Sequence, residues 1–462
     1  MIRFNSHIIP PQKGAYIVGG CIRDILTRRV PGDYDFVVLD NPRQFAMKIG
    51  EKTHGQVITL GKSGLTLYRV VSPTGIFDVS PVSGSSITED LSRRDFTINA
   101  MAVDLHSGQL IDPFSGRADI ENKKIRMVSN HSFNDDPIRL LRAYRLGALL
   151  GFDIEPLTEN AITRDKALIV RSAGERIHAE LIKIFETRHS FTYVKQMFQR
   201  GLMFNIFPEL EALPACHQNR YHDFNVFDHT LYAYDHLETV LNNLDEFVPE
   251  LQKNRLRLQH NIALLKYAIL LHDIGKPPCM SEKNGLIHFF GHETQGAIMA
   301  EDICTRLKFS GYEKKYTGFI IRHHLHPLFL FSNKNPKTDI KKAKTKFFIT
   351  CGDKSPDILL HAYADFMAKK KDRNLPENDA FKQFTQEMIR DYFTDFVPVK
   401  NEKRMLTGKD LIHEFRIQPS PLFKTILDQV EESRLSGRIH SRGEALTMAR
   451  HILEIGNNHS SS

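Results

Sequence analysis

The chain reads as α+β, with a small mixed α/β head followed by an almost wholly helical remainder. Two observations predict this. β-rich runs at Tyr16–Val18, Asp35–Leu39, Val57–Leu60, Leu65–Val71 and Ile76–Val79 are broken by Gly and Pro, with helical stretches at Asp24–Thr27 and Arg43–Thr53 between them. From about residue 135 the apolar spacing changes to i, i+3, i+4 nearly throughout. Ile138–Leu150 is the clearest amphipathic helix, and Gly151 marks its end.

Boundaries follow from the punctuation. The head spans 1–125 and a helical neck 126–215, closed by Pro208, Pro214 and the polar stretch Gln218–Asp223. A histidine-rich helical block covers 216–373, and the linker Asn374–Asp379 leads into a helical tail, 374–462. The last residues, His459–Ser462, are expected to fray.

Hydrophobic residues make up 41% and charged residues 25% of the 462, enough apolar material for real cores and against disorder. No run approaches the roughly 20 apolar residues of a membrane helix. The start, Met1–His7, lacks the basic-then-apolar layout of a secretory signal, so a cytoplasmic protein is expected. The five cysteines (Cys21, Cys216, Cys279, Cys304, Cys351) are never spaced Cys-x-x-Cys, which argues against a disulfide framework and a cysteine zinc site. Each is expected to be a small buried apolar residue. The net charge of +7 is compatible with a polyanionic partner. Basic runs at Lys334–Lys346 and Lys369–Arg373 have the ordinary reading of solvated helix faces.

Chemistry concentrates first in the head. Asp33 and Asp35 stand at i and i+2, so on an extended strand both carboxylates face one side and can meet one divalent ion or a pair. Gly19 and Gly20, just upstream, let the backbone approach a phosphate. Asp78, on a later strand, is the candidate third carboxylate, to hold metal or accept a hydroxyl proton. Hard oxygen ligands of this kind suit Mg²⁺ and metal-dependent nucleotidyl transfer. Asp-x-Asp alone is common on surface strands, but its neighbours change the odds.

In Asp90–Ala102, a double arginine (Arg93, Arg94) precedes Asp95 and Asn99 in otherwise apolar surroundings. Arg94 is placed to hold triphosphate, and Asp95 and Asn99 to read sugar hydroxyls. Asp136 and Arg139 sit three apart, neighbours if helical, with Arg142 and Arg145 continuing a basic stripe. An exposed salt-bridged face would explain them at about 0.3–0.5 kcal/mol per pair. The functional reading is a base reader. Cytosine and adenine each offer an amine donor beside a ring-nitrogen acceptor, which an aspartate and an arginine match without any nucleic-acid template.

Taken in order, Gly19–Asp24, Gly32–Phe36, Arg93–Ala102, Ile111–Gly116 and Asp135–Arg145 resemble the bacterial class II tRNA nucleotidyltransferase and poly(A) polymerase family, which includes the CCA-adding enzymes. Ala173–Ile177 looks like the family's following helix motif. The resemblance implies a polymerase-β-like head and a body that holds tRNA, with CTP and ATP as substrates. It also implies that Gly20 and Arg23 bind the incoming nucleotide, Asp33 and Asp35 bind magnesium, and Arg94, Asp136, Arg139, Arg142 and Arg145 contact the nucleotide. The segment between Asp78 and Arg93 is short where many full CCA-adding members carry a longer loop associated with the switch from C to A. A CC-adding specialist therefore stands beside full CCA addition, and poly(A) polymerase remains the nearest rival.

The histidine-rich block carries His229, the pair His272–Asp273 in His-Asp-Ile-Gly-Lys, His292, His323–His324 and Asp365. This order resembles the HD-domain phosphohydrolases, and imidazole with carboxylate on buried helices suits nickel, manganese or iron. His229, His272, Asp273 and Asp365 are the expected ligands, with His292 and His323 available to a second metal. A hydrolase of nucleotides with a merely binding head is the rival from another reaction class.

Overall fold

The computed structural model describes residues 8–61, 66–218, 223–249, 261–333, 339–372 and 375–459. The chain divides into two compact units, residues 1–208 and 209–462. The start of the Leu65–Val71 run, most of the Gln218–Asp223 stretch, and residues 334–338, 373–374 and 460–462 lie outside the described residues.

The first unit is built on a seven-stranded sheet of β1 (Ala15–Val18), β2 (Asp33–Val38), β3 (Gln56–Leu60), β4 (Leu67–Ser72), β5 (Gly75–Pro81), β6 (Ala102–Asp104) and β7 (Leu110–Ile111). Its order is β3-β4-β5-β2-β1-β6-β7. Only β2 and β5 run parallel among these neighbours. β2 has polar residues at its open end and a buried Phe36-Val37-Val38 run behind them. That is the expected pattern for a central strand covered on both faces, where alternation gives way to an apolar run. Registration sets a row across three strands: Arg69 on β4 faces Asp78 on β5, and Asp78 faces Asp35 on β2.

Helix α1 (Gly20–Leu26) begins at the glycine pair, ahead of the expected Asp24, because Gly19 takes φ +79 and turns β1 straight into the helix. Helix α2 (Pro42–Thr53) buries Phe45, Ala46 and Ile49 against Phe36, Phe77 and Val79 of the sheet. Helix α3 (Ile87–Ser92) is capped by Ser86, whose hydroxyl accepts from the Glu89 amide. In the neck, α4 (Arg139–Leu150) buries Leu140, Leu141, Tyr144 and Leu146 and stops at left-handed Gly151, whose amide bonds the Gly147 carbonyl. Helix α5 (Gly174–Phe185) packs along it.

In the second unit, α6 (Val226–Asn242), α7 (Ile262–Leu271), α8 (His292–Arg306), α9 (Gly311–His323), α10 (Ile340–Cys351) and α11 (Ser355–Met367) form a bundle, with a small hairpin of β8 (Ser281–Lys283) and β9 (Leu286–His288). α7 is buried all round, including Lys266, whose ammonium reaches Glu238 at 2.7 Å. Helices α12 (Pro376–Asp391), α13 (Pro421–Leu435) and α14 (Arg442–His459) complete the tail. Cys21, Cys216, Cys304 and Cys351 are buried as expected, while Cys279 is half-buried on the short turn after Lys276. Among the described residues no helix is long and apolar enough to cross a membrane.

Candidate functional site

A cleft of about 480 Å³ in the first unit is lined by Gly19, Gly20, Arg23, Asp33, Asp35, Arg93, Arg94, Asp95, Asn99, Arg139, Arg142 and Arg145. Strand β2 extends to Asp33, so both aspartates occupy one regular strand with their side chains on the same face. Confinement pushes the Asp35 carboxyl up, Arg94 pulls against it, and Asp78 and Asp33 add like-charge repulsion. A divalent cation would relieve that crowding, and the donors are all hard oxygens, so this corner fits magnesium. Gly19 is required here: a Cβ on it would stand 3.0 Å from an Arg94 guanidinium nitrogen and 3.4 Å from Asp35 Oδ2.

Asp78 corrects the sequence reading in part. It neighbours Asp35 in register but is not on the cleft lining. Its carboxylate is turned to Arg69, which donates from Nε at 2.8 Å and Nη2 at 2.7 Å. Arg69 escaped the sequence reading because only the pairing of β4 with β5 brings it there.

The arginine–aspartate strip forms a connected network. Arg23 donates to Asn99 Oδ1 at 2.7 Å, Asn99 donates to Asp95 Oδ1 at 3.1 Å, and Asp95 Oδ2 pairs with Arg142 at 2.9 Å. Arg94 is held by Asp90 through two hydrogen bonds of 3.2 and 3.0 Å, one helical turn back. Arg93 donates to Glu89 and Ser83. Asp90 and Glu89 were not read as site residues, although the i, i+4 spacing from α3 was the available signal. Asp95, Asn99 and Arg23 are buried, so their order is fixed before any ligand arrives.

The base-reading pair is not assembled as the spacing suggested. Asp136 is not on the cleft lining and does not pair with Arg139. The chain is extended at Asp136 (φ −149, ψ 99), between the short helix Ser132–Asp135 and α4, so the i, i+3 helical neighbourhood never forms. Asp136 instead accepts two bonds from Arg176 of α5, at 3.0 and 2.9 Å. Arg139 lines the cleft but donates to the Arg93 carbonyl at 2.6 Å and to Ser132 at 3.1 Å. Arg145 is largely buried, which pushes its guanidinium down, and Glu180 of α5 opposes this from 2.7 Å.

In the second unit, the histidine cluster gathers residues from five helices and their ends. His229 Nε2 meets Asp365 Oδ1 at 2.8 Å, and His272 Nε2 meets Asp273 Oδ2 at 3.1 Å. His229, His272 and Asp273 form one group with metal-ligand spacing, and Asp273, His292 and His324 form a second. His323 is the wrong member of its pair. Its ring packs between Phe319 and His326, while the adjacent His324 points into the cluster. His361, also unforeseen, stacks edge-on near His272 and, among the described residues, has no hydrogen-bond partner on either ring nitrogen.

These residues fit a metal. Nδ1 of His272, His292 and His324 each meets a carbonyl three residues back, at 2.7, 2.8 and 2.6 Å, which leaves Nε2 of each as an inward-facing acceptor. Nε2 of His272 and His292 and both oxygens of Asp273 are buried without a hydrogen bond among the described residues. Burial lowers the proton affinity of His272, but Asp273 and Asp365 outweigh it and hold the ring up at about 10. A cation would occupy that proton's place. Lys276 pairs with Asp273 at 2.7 Å, and with Lys369 it lines a cavity of about 330 Å³ onto which Asp273, His292, His324 and Asp365 also open.

A carboxylate pair on a central strand, facing a cleft walled by guanidinium groups, defines a nucleotidyltransferase. The poly(A) polymerase head-domain family matches residues 15–126, the probable RNA- and SrmB-binding region of polymerase A matches 151–213, and the HD domain matches 226–342. A CC-adding tRNA nucleotidyltransferase from Synechocystis is 28% identical over 98% of this chain and 96% of its own. An A-adding tRNA nucleotidyltransferase from Deinococcus radiodurans is 27% identical over 96% and 97%. A multifunctional CCA protein from Actinobacillus pleuropneumoniae is 30% identical over 67% of this chain and 75% of its own. The CCA-adding enzyme of Thermotoga maritima, solved with tRNA, shares the fold with a TM-score of 0.63 at 21% identity, over 95% of this chain and 90% of that one. The chain belongs to the class II tRNA nucleotidyltransferase and poly(A) polymerase family, of the CCA-adding type, and carries an HD domain.

Proposed function

We propose that this protein adds C residues to the 3′ end of tRNA from CTP, without a nucleic-acid template, and stops short of the terminal A. The observation that carries the transfer reaction is the face of β2, where Asp33 and Asp35 meet a cleft of fixed arginines. The tRNA 3′ hydroxyl attacks the α-phosphorus of the nucleotide, a new P–O bond forms, and the bond to pyrophosphate breaks. Magnesium held by Asp33 and Asp35 would neutralise charge developing at phosphorus. Arg94, braced by Asp90, and Arg23 bind the triphosphate, and Asp95 with Asn99 orients the sugar. The hydroxyl proton is given up to water in the open cleft, because Asp78 is tied to Arg69 and stands off the lining. Arg139, on the cleft wall, is the candidate base reader, and Asp136, which Arg176 holds apart from Arg139 before nucleotide binds, is its candidate partner.

The restriction to C is supported by the likeness to the Synechocystis relative and by the segment from Asp78 to Arg93. That stretch is filled by the end of β5, a tight turn and α3, with no long loop. Extending a tRNA stripped of its CCA end with CTP alone, ATP alone and both, resolved by product length, tests this. Products should grow by C only. Addition of A to a CC end would refute the restriction, and ATP-only tailing of any RNA would refute the function.

For the HD cluster we propose a divalent transition metal on His229, His272, Asp273 and Asp365, with His292 and His324 completing a second position. Metal analysis of the purified protein tests it. A tRNA substrate supports a cytoplasmic location, which fractionation would check.

A further inference from the structure

The stretch Ala173–Ile177 opens α5, and α5 packs along the helix that carries Arg139, Arg142 and Arg145. Two of its residues, one turn apart on one face, each take hold of a group from the base-reading segment. Arg176 grips Asp136 fork to fork, with Nη1 to Oδ1 at 3.0 Å and Nη2 to Oδ2 at 2.9 Å. Glu180 pairs with Arg145 at 2.7 Å, both side chains being largely buried. Neither has another role in the transfer chemistry.

The physics of the first contact bears on base choice. Asp136 sits on extended backbone between two helices, so no helical neighbour fixes its side chain. A bidentate guanidinium sets the plane of the carboxylate and engages one lone-pair site on each oxygen, leaving the others for a ligand amine. The fork fixes where the free lone pairs point, and an ionised carboxylate accepts only. It can accept from the amine of cytosine but has no proton to offer the carbonyl of uracil. A carboxylate free to turn could leave the amine position and accept from the ring N–H of uracil instead. Glu180 does the matching work on Arg145, a residue of the cleft wall.

We infer that Arg176 and Glu180 are positioning residues for base selection: α5 is the back plate that sets the orientation of Asp136 and Arg145. This rests on the reading that Asp136 takes part in choosing the base.

The test compares kcat/KM for CTP and UTP on tRNA lacking its 3′ end, for wild type, Arg176→Met, Asp136→Asn and the double variant. Arg176→Lys is included as the charge-preserving rescue. We expect Arg176→Met to lower the CTP-to-UTP ratio about tenfold or more. Arg176→Lys should recover part of that loss, and the double variant should match Asp136→Asn alone. A merely structural ion pair would lower both nucleotides together and leave the ratio unchanged. If Asp136→Asn shifts the ratio but Arg176→Met leaves it within twofold, or raises it, the inference is overturned. If Asp136→Asn leaves the ratio unmoved, the base-reading assignment itself has failed. Glu180→Gln gives a second line: it should raise KM for CTP with KM for tRNA unchanged, and equal rises in both would overturn its part.

Discussion

Asp357 offers a prediction whose size follows from the structure. It lies on α11, the helix that also carries His361 and Asp365, and is 3% exposed. Burial pushes its carboxyl up from 3.8 to about 6, although the Tyr316 hydroxyl donates to it at 2.6 Å. Each tenfold change in proton affinity is worth about 1.36 kcal/mol, so the ionised form costs the fold about 3 kcal/mol. The sign follows from the raised value. Through Asp357 alone, the wild-type fold carries no penalty below about pH 4, loses stability as pH rises towards 6, and carries the full penalty above that. Asp357→Asn keeps an oxygen for Tyr316 and removes the charge, but leaves amide hydrogens without an assigned acceptor, at about 1 kcal/mol. The expected result is a variant about 2 kcal/mol more stable at pH 8 and slightly less stable than wild type at pH 4. Urea denaturation followed by circular dichroism across that range would measure it. A difference that does not change with pH, or a variant weaker at pH 8, would refute the reasoning.

Other outcomes bear on the two sites. Asp33→Asn and Asp35→Asn should each cut CMP incorporation by about a thousandfold or more while the melting curve stays cooperative, as a loss of metal-supplied charge stabilisation requires. Asp90→Asn, which loosens Arg94, should lower kcat/KM about tenfold for CTP and UTP alike, because it disturbs the triphosphate grip rather than the base; a changed nucleotide ratio would count against this. Gly19→Ala forces a side chain into a left-handed turn 3.0 Å from Arg94 and should reduce nucleotide binding, read as a raised KM for CTP. His272→Ala should lose bound transition metal by elemental analysis and leave tRNA extension intact; retained metal would move the centre elsewhere.

Much of this was already legible along the chain. The period of two placed Asp33 and Asp35 on one face before any sheet was known, and the adjacency of His272 and Asp273 at a helix end marked the second centre. Local pattern carries such information because strand alternation and helical repeat are properties of neighbouring residues. Partner choice across elements is not. Arg69 meets Asp78 only through the β4–β5 register, and Arg176 meets Asp136 only because α5 lies against α4. His323 and His324 are adjacent in sequence, yet at a helix end successive side chains diverge by about 100°, so one packs on Phe319 and its neighbour faces the cluster. Composition and periodicity therefore determined which chemistries the molecule holds. The packing of helices and the pairing of strands decided which oxygen meets which guanidinium, since those contacts depend on distances that only the folded chain brings within reach.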